Sequence, residues 1–128
     1  MQHLLAHKNL YLSVAILWTL GIAVACLVSF NDLPGIKIIG GTDKYVHFLL
    51  HFGFTGLWFL HFRKESGNRK KTLIKVAACS FLYGIAIEIA QELFTTTRHA
   101  DILDVVANTS GAITAMLVIN AYNAYFKK

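Results

Sequence analysis

The chain has few charged residues, a single proline and two cysteines, and each of these scarcities excludes a class of protein. Charged residues make up 15% of the 128 residues, against about a quarter in a typical soluble domain. With only Pro34 and no low-complexity linker, the chain is predicted to form one domain over residues 1–128. Cys26 and Cys79 lie in apolar runs at a spacing that fits neither a disulfide framework nor a zinc site, which predicts two buried free thiols.

The formal net charge of +5 raises nucleic acid as a partner, because basic surfaces attract phosphates. A surface that binds single strands would also place aromatic residues among its basic ones. Here the basic residues gather in short segments between apolar runs instead. No nucleic acid partner is therefore predicted.

Long apolar runs dominate the sequence. Residues 10–30 contain no charge, and about 20 such residues cross the hydrocarbon core of a bilayer. A soluble helical bundle is disfavoured because this run has no polar face, and a cleaved signal peptide because the run is longer than a signal's apolar segment. The runs predict an all-α fold, a polytopic bundle of four transmembrane helices near residues 9–30, 44–62, 73–95 and 101–126.

The distribution of lysine and arginine predicts how the bundle is oriented in the membrane. One set of connections carries Lys37, Lys44 and Arg98, and the other carries the remaining basic residues, at positions 8, 63, 64, 69, 70, 71, 75, 127 and 128. Because short basic loops stay in the cytoplasm, both termini are predicted to be cytoplasmic. The segments 31–44 and 95–101 are predicted to face outward.

Three of the predicted helices carry a polar stripe near their outer ends, with residues spaced by three or four along one face. The stripes are Lys44, His47, His51 and Thr55 on the second helix, Gly84, Glu88, Gln91 and Thr95 on the third, and Asp101, Asp104, Asn108 and Gly111 on the fourth. An ionisable group in hydrocarbon costs several kcal/mol. The stripes are therefore expected to face each other or a wet cavity.

The carboxylates of these stripes also have simpler interpretations, which stay open. Asp101 stands where the fourth helix begins and fits a simple N-cap, and Asp104 then complements the helix dipole. Glu88 lies about two turns inside the third helix, where no cap needs it. An ion pair with Lys44 or Arg98 is the structural interpretation of Glu88.

The histidines and their neighbours raise two kinds of chemistry. His47 and His51, four residues apart, share a helix face and are metal-ligand types, but a histidine pair hydrogen-bonded to carboxylates is the preferred interpretation. No metal and no cofactor are therefore predicted. Glu88, His47 and Asp104 are the candidate catalytic residues, because a buried carboxylate beside a histidine can transfer protons. Ser110 is one candidate nucleophile on the fourth helix, but a hydrogen bond from Thr109 and Ser110 within their own helix is preferred.

The polar residues occur as short motifs in a fixed order, "DKYVHF", "EIAQELF" and "RHADILDVVANTSGA". Over residues 43 to about 117 this order resembles the VanZ-like family of small bacterial integral membrane proteins. The family pattern is D-K-x-x-H-F, then E-x-x-Q, then R, D, D, N and a run of small residues. It corresponds here to Asp43, Lys44, His47, Phe48, Glu88, Gln91, Arg98, Asp101, Asp104, Asn108 and Gly111.

The resemblance implies a multi-pass protein of the bacterial plasma (inner) membrane and the cell envelope. The namesake of the family is linked to resistance to the glycopeptide teicoplanin. Together with the stripes, the resemblance singles out a ligand-binding set in an outward-facing pocket. The set is Asp43, Lys44, His47, Glu88, Gln91, Arg98, Asp101, Asp104 and Asn108.

Three functions stay open at this point. The preferred one is a non-enzymatic envelope protein that binds a membrane lipid or a lipid-linked envelope precursor in the polar pocket. The alternative is a membrane-embedded enzyme that acts on lipid head groups at the outer leaflet, with Lys44 and Arg98 holding a phosphate. The third is a small transporter built from an oligomer. The oligomeric state itself is left open by the sequence.

Overall fold

The computed structural model describes residues 2–28, 41–63 and 67–126, with the backbone alone for residues 2–8. Within these ranges the chain forms four helices and no strand, which confirms the all-α prediction. The helices are α1 Gln2–Leu27, α2 Thr42–Phe62, α3 Arg69–Phe94 and α4 Ile102–Phe126. α1 begins well before its predicted start at residue 9, because the prediction followed the apolar run and the helix continues beyond it. The predicted end of α1 at residue 30 lies outside the described residues.

Local sequence explains where the helices begin. α2 follows Gly41, whose φ of 93° is a left-handed conformation that favours glycine. α3 follows Asn68, whose side-chain oxygen accepts the backbone N–H of Lys71 at 3.1 Å. Such N-caps satisfy backbone donors that have no partner inside the helix.

The outside of the bundle is apolar and the inside is partly polar. Residues 9–27 of α1, together with α3 and α4, are long and apolar enough to cross a membrane. α2, with 21 residues, reaches about 32 Å and is by its length able to cross the hydrocarbon core. Leu17, Leu82 and Leu117 are exposed, whereas His51 and Asn108 are buried. An apolar outer surface around a partly polar interior is the arrangement that a lipid environment favours. Together with the long apolar helices, it identifies the chain as a multi-pass membrane protein.

α2 and α3 each contact the other three helices, α2 more extensively, whereas α1 and α4 have no contact with each other in the described residues. α2 and α4 approach closely at Gly111, where a Cβ atom would overlap the Phe48 carbonyl. α1 packs on α2 through Trp18, whose Nε1 donates to the Leu50 carbonyl at 2.9 Å. The close crossing of α2 and α4 brings their polar stripes together.

The two cysteines differ in burial. Cys26 is buried, as predicted, and lies in an apolar cluster with Ile22, Phe54 and Ile87. Cys79 is exposed on the surface of α3, so the prediction of a buried thiol was wrong there. An apolar run predicts burial in a soluble protein, but in a membrane helix it is equally compatible with a face turned to lipid.

Candidate functional site

One end of the bundle carries a group of charged and amide side chains, called the polar cluster below. The cluster is formed by the beginning of α2, the last turns of α3, the connection 95–101 and the first turns of α4. Its members are Asp43, Lys44, His47, Glu88, Arg98, Asp101, Asp104 and Asn108. The predicted ligand-binding set thus comes together in space, and Gln91 lies beside the cluster because it shares a backbone partner, the Cys26 carbonyl, with Arg98. Whether these residues bind a ligand stays a prediction.

Lys44 joins α2 to the beginning of α4. Its Nζ lies 2.7 Å from Asp101 Oδ2 and 3.0 Å from Asp104 Oδ1. The side chains of Lys44 and Asp101 are 37% and 40% exposed, whereas that of Asp104 is 6% exposed. The cluster therefore extends from an exposed rim into the interior of the bundle.

Arg98 holds the α3–α4 connection against two other helices. Its Nη2 donates to Asp43 Oδ1 at 2.6 Å, and its Nη1 donates to the backbone carbonyl of Cys26 at 3.1 Å. Gln91 Nε2 donates to the same carbonyl at 2.8 Å. The last carbonyls of a helix have no partner inside it, so Gln91 and Arg98 satisfy the end of α1. Sequence reasoning missed this backbone partner.

His47 is the central side chain of the interior half, with 1% of its surface exposed. Its Nδ1 lies 3.0 Å from Asn108 Oδ1 and 3.9 Å from Glu88 Oε1. Its Nε2 lies 3.7 Å from Asp104 Oδ2 and 3.9 Å from Asp43 Oδ1. Both ring nitrogens thus have carboxylate oxygens within 4 Å, although none of these oxygens is close enough for a direct hydrogen bond.

Glu88 does not form the ion pair that the sequence left open. Its Oε2 accepts the backbone N–H of Asp101 at 3.0 Å, and its Oε1 is buried without a hydrogen-bond partner. Lys44 and Arg98 are bonded to aspartates instead. The ion-pair interpretation was wrong because aspartates at the beginnings of α2 and α4 lie closer to both cations.

Asp101 combines two roles that the sequence presented as alternatives. Its Oδ1 accepts the backbone N–H of Leu103 at 2.8 Å, so the predicted N-cap is confirmed. Its Oδ2 accepts the ammonium group of Lys44. The hydrogen bond from Lys44, together with that from the Leu103 N–H, holds the pKa of Asp101 below its usual range.

The His47–His51 pair does not converge on one site. His51 Nδ1 lies 2.8 Å from Ser80 Oγ on α3, and both side chains are fully buried. Sequence reasoning missed Ser80, although it lies four residues before Gly84 and so continues the polar stripe of α3. His51 and Ser80 therefore form a separate polar pair deeper in the bundle.

Gly84 lies where the polar cluster meets this deeper pair. A Cβ atom on Gly84 would be 2.9 Å from Asn108 Nδ2 and 3.3 Å from His51 Cε1. The absence of a side chain at this position lets the polar side chains of α2 and α4 extend into the bundle.

Two apolar grooves lie at the opposite end of the bundle, with volumes of about 550 and 650 Å³. The first is lined in part by Phe52, Phe59 and Tyr122, and the second by Trp58 and Val76 among others. None of their lining residues belongs to the polar cluster. The cluster stays the candidate site because it holds the buried charged side chains. In it, Asp43, His47 and Asp104 each offer one metal-ligating atom, and these atoms lie within 4.8 Å of one another.

Comparison with known proteins agrees with the motif order. The family model described as VanZ/LLP1 matches residues 5–123, nearly the whole chain. No curated protein and no solved structure matches the chain. The matched range contains all four helices except the ends of the first and the last, together with every member of the polar cluster. The chain belongs to the VanZ/LLP1 family of membrane proteins.

Proposed function

We propose that the polar cluster binds the polar head group of a membrane lipid or of a lipid-linked envelope precursor. One observation carries the proposal. His47 Nε2, Glu88 Oε1 and Asn108 Nδ2 are buried and have no hydrogen-bond partner within the described part of the chain. A buried polar atom without a partner costs about 1–3 kcal/mol, so a ligand that bonds to these atoms would recover that free energy.

The nearness of these buried atoms to an exposed rim supports the proposal. Lys44 and Asp101 form an exposed rim, and His47 lies inside it, 3.7 Å from Asp104 Oδ2. A head group that enters from the surface would meet the rim first and the unpartnered atoms next. Its acyl chains would stay in the lipid that surrounds the apolar outer surface of the bundle.

The charge of the cluster indicates which head groups fit. Its carboxylates outnumber its cations, because Lys44 and Arg98 face a larger set of acids, Asp43, Glu88, Asp101 and Asp104. Each cation already donates to an aspartate within 3.0 Å. A phosphate bound by Lys44 and Arg98 would therefore compete with carboxylates. Hydroxyl or amine groups, which donate hydrogen bonds to carboxylates, fit better.

The family supplies the biological setting of the proposal. The chain is a VanZ-like protein, for which we place the helices in the bacterial plasma (inner) membrane, with both termini cytoplasmic and the cluster facing outward. A protein that holds a lipid-linked envelope precursor at this face would change how much of it a glycopeptide reaches. Altered teicoplanin susceptibility is the expected consequence.

Lipid retention through purification tests the proposal. We expect the wild-type protein to retain one lipid class at about one molecule per chain, measured by mass spectrometry of the extracted lipids. The Glu88→Gln variant is expected to retain several-fold less, since it changes the charge and keeps an oxygen for the Asp101 N–H. Glu92→Gln is the matched control, because Glu92 accepts the Ala100 N–H from an exposed position.

Equal lipid retention by the wild-type protein and both variants would overturn the proposal. A monodisperse profile in size-exclusion chromatography for Glu88→Gln separates loss of the ligand from loss of the fold. Teicoplanin susceptibility of cells that express the three proteins tests the envelope role separately. The wild-type and Glu92→Gln proteins are expected to shift susceptibility alike, and Glu88→Gln to shift it less.

One observation favours a second candidate function, an enzyme that acts on lipid head groups. The two ring nitrogens of His47 lie 3.9 Å from Glu88 Oε1 and 3.7 Å from Asp104 Oδ2. A substrate group or a water molecule between these atoms would let the set accept and return a proton. Incubation of the purified protein with the retained lipid class distinguishes the two functions. A product that forms with wild type and not with Glu88→Gln supports the enzyme, and an unchanged lipid in both argues against it.

A further inference from the structure

We infer that Asp43, His47 and Asp104 form a binding site for a divalent metal ion of the first transition row. Each residue offers one ligand atom, and these atoms all lie within 4.8 Å of one another. Asp43 and His47 stand four residues apart on one face of α2, and Asp104 reaches them from the first turn of α4. The inference goes beyond head-group binding and does not depend on it, because it gives His47 Nε2 to the ion and leaves Glu88 Oε1 and Asn108 Nδ2 for a head group.

His47 Nε2 is the atom that points to a ligand. It is buried and has no hydrogen-bond partner in the described residues, although it faces Asp104 Oδ2 at 3.7 Å and Asp43 Oδ1 at 3.9 Å. Both distances are too long for a hydrogen bond. A gap therefore separates His47 Nε2 from Asp104 Oδ2 and Asp43 Oδ1, and all three of these atoms are types that bind cations.

The dimensions of the gap suit a metal ion. With metal–ligand distances of about 2.1 Å, neighbouring ligand atoms are about 3.4 Å apart in tetrahedral geometry and about 3.0 Å apart in octahedral geometry. The observed separations of 3.7 and 3.9 Å exceed these values by less than about 1 Å. We expect rotation of the two aspartate side chains to close that difference when an ion binds, since the helix backbones already hold the three residues side by side.

The neighbouring cations leave ligand positions open. Lys44 donates to Asp104 Oδ1, so Asp104 Oδ2, the oxygen that faces His47, stays available. Arg98 donates to Asp43 Oδ1, but an ionised carboxylate has about four acceptor positions and can keep this bond while binding an ion. The excess of carboxylates over cations in the cluster also favours a positive ion.

The ligand types select among ions. Carboxylate oxygens suit Mg²⁺, Ca²⁺ and Mn²⁺, whereas imidazole suits the later transition metals. One imidazole with two carboxylates therefore favours an ion that accepts both, and Mn²⁺ is the probe that also gives a magnetic signal. Because the site lies below an exposed rim, remaining coordination positions would be filled by water or by a head-group oxygen.

Binding of Mn²⁺ alone to the tag-free, lipid-depleted protein tests the inference. We expect one ion per chain, measured by the loss of the free Mn²⁺ signal in electron paramagnetic resonance. Asp43→Asn and Asp104→Asn keep the shape of each side chain and are expected to weaken binding by about tenfold or more. The paired surface substitutions Glu92→Gln and His99→Gln, whose side chains lie 3.4 Å apart at exposed positions, are expected to leave binding unchanged.

A second measurement needs no folded variant. With histidine labelled with ¹⁵N, pulsed magnetic resonance of the wild-type protein is expected to show coupling between Mn²⁺ and one imidazole nitrogen. The inference is overturned if no saturable binding occurs, if bound Mn²⁺ shows no histidine coupling, or if the surface substitutions remove the binding. Since no lipid is added, failure here leaves head-group binding intact, and failure of lipid retention leaves the metal site intact.

Discussion

The backbone N–H of Asp101 donates a hydrogen bond to Glu88 Oε2 at 3.0 Å, which ties the beginning of α4 to the last turns of α3. The other oxygen of the same carboxylate is buried without a partner. One side chain thus holds the helix hairpin in place and also presents an acceptor to the interior of the polar cluster. The two contributions can be separated by substitution.

Glu88→Ala is expected to lower the free energy of unfolding by about 2 kcal/mol, because the Asp101 N–H loses its acceptor at a partly buried position. Glu88→Gln should lose much less, since its amide oxygen accepts the same N–H. The measurement is denaturant unfolding in mixed micelles, followed by tryptophan fluorescence. Glu92→Ala is the control, because Glu92 accepts the Ala100 N–H at the same 3.0 Å from an exposed position, where water can replace it. Equal losses for the two alanine variants would contradict the assignment.

Gly111→Ala is expected to destabilise the bundle by about 1–3 kcal/mol, the usual cost of overpacking. The added methyl group would overlap the carbonyl of Phe48 on α2, and backbone atoms cannot rotate away. Gly56→Ala is the matched control within α2, because no atom lies within 4 Å of the position its Cβ would take. It should be neutral or stabilising, since alanine favours helices over glycine by up to about 1 kcal/mol. A stable Gly111→Ala protein would show that α2 and α4 do not cross there.

Helical spacing was sufficient to predict which residues face the interior. His47, Glu88 and Asp104 lie on the stripes predicted from spacing, and all of them are buried. Spacing predicts burial reliably in a membrane protein, because exposing a charged side chain to hydrocarbon costs several kcal/mol. Such a side chain therefore faces the interior of the bundle. The same reasoning failed for Cys79, since an apolar side chain is stable on either face of a membrane helix.

Partners within the cluster could not be predicted from spacing. The sequence allowed either Lys44 or Arg98 to form an ion pair with Glu88. In the folded bundle both cations bond to aspartates instead. The carbonyl of Cys26, which Gln91 and Arg98 share, leaves no trace in the sequence because every residue has the same backbone group. Such pairings depend on helix packing, which the order of motifs along the chain does not determine.

Ser80→Ala is expected to cost about 1 kcal/mol, because it leaves His51 Nδ1 without its partner in the interior of the bundle. The control is Ser110→Ala, since the Ser110 hydroxyl is exposed and donates to the Val106 carbonyl of its own helix. The free energies of unfolding of both variants, compared in the same micelles, provide the measurement. Equal stability of the two variants would mean that the His51–Ser80 contact contributes nothing to the fold.

The hydrogen bonds that Asp101 accepts from Lys44 and from the Leu103 N–H lower the pKa of Asp101 from its ordinary value of 3.8. A lowered pKa in the folded protein stabilises it above the unfolded pKa, and this stability is lost as the pH falls through the folded pKa. Asp101→Asn removes the charge and keeps a good N-cap. The difference in thermal midpoint between wild type and Asp101→Asn is therefore expected to be largest above about pH 5 and to shrink below pH 3.8.

Lys44→Met sharpens this test, because it removes the main cause of the lowered pKa of Asp101 and leaves the bond from the Leu103 N–H in place. In that background the effect of Asp101→Asn on the thermal midpoint should be smaller, and it should shrink at a higher pH than in the presence of Lys44. Each effect is the difference between two proteins that differ only at position 101. The contributions of groups that titrate elsewhere are the same in both proteins and therefore cancel. The decisive measurement is the effect of Asp101→Asn on the thermal midpoint in the protein that keeps Lys44. If this effect stays constant from about pH 6 to about pH 3, the Lys44–Asp101 contact does not lower the pKa of the carboxyl group in the folded protein.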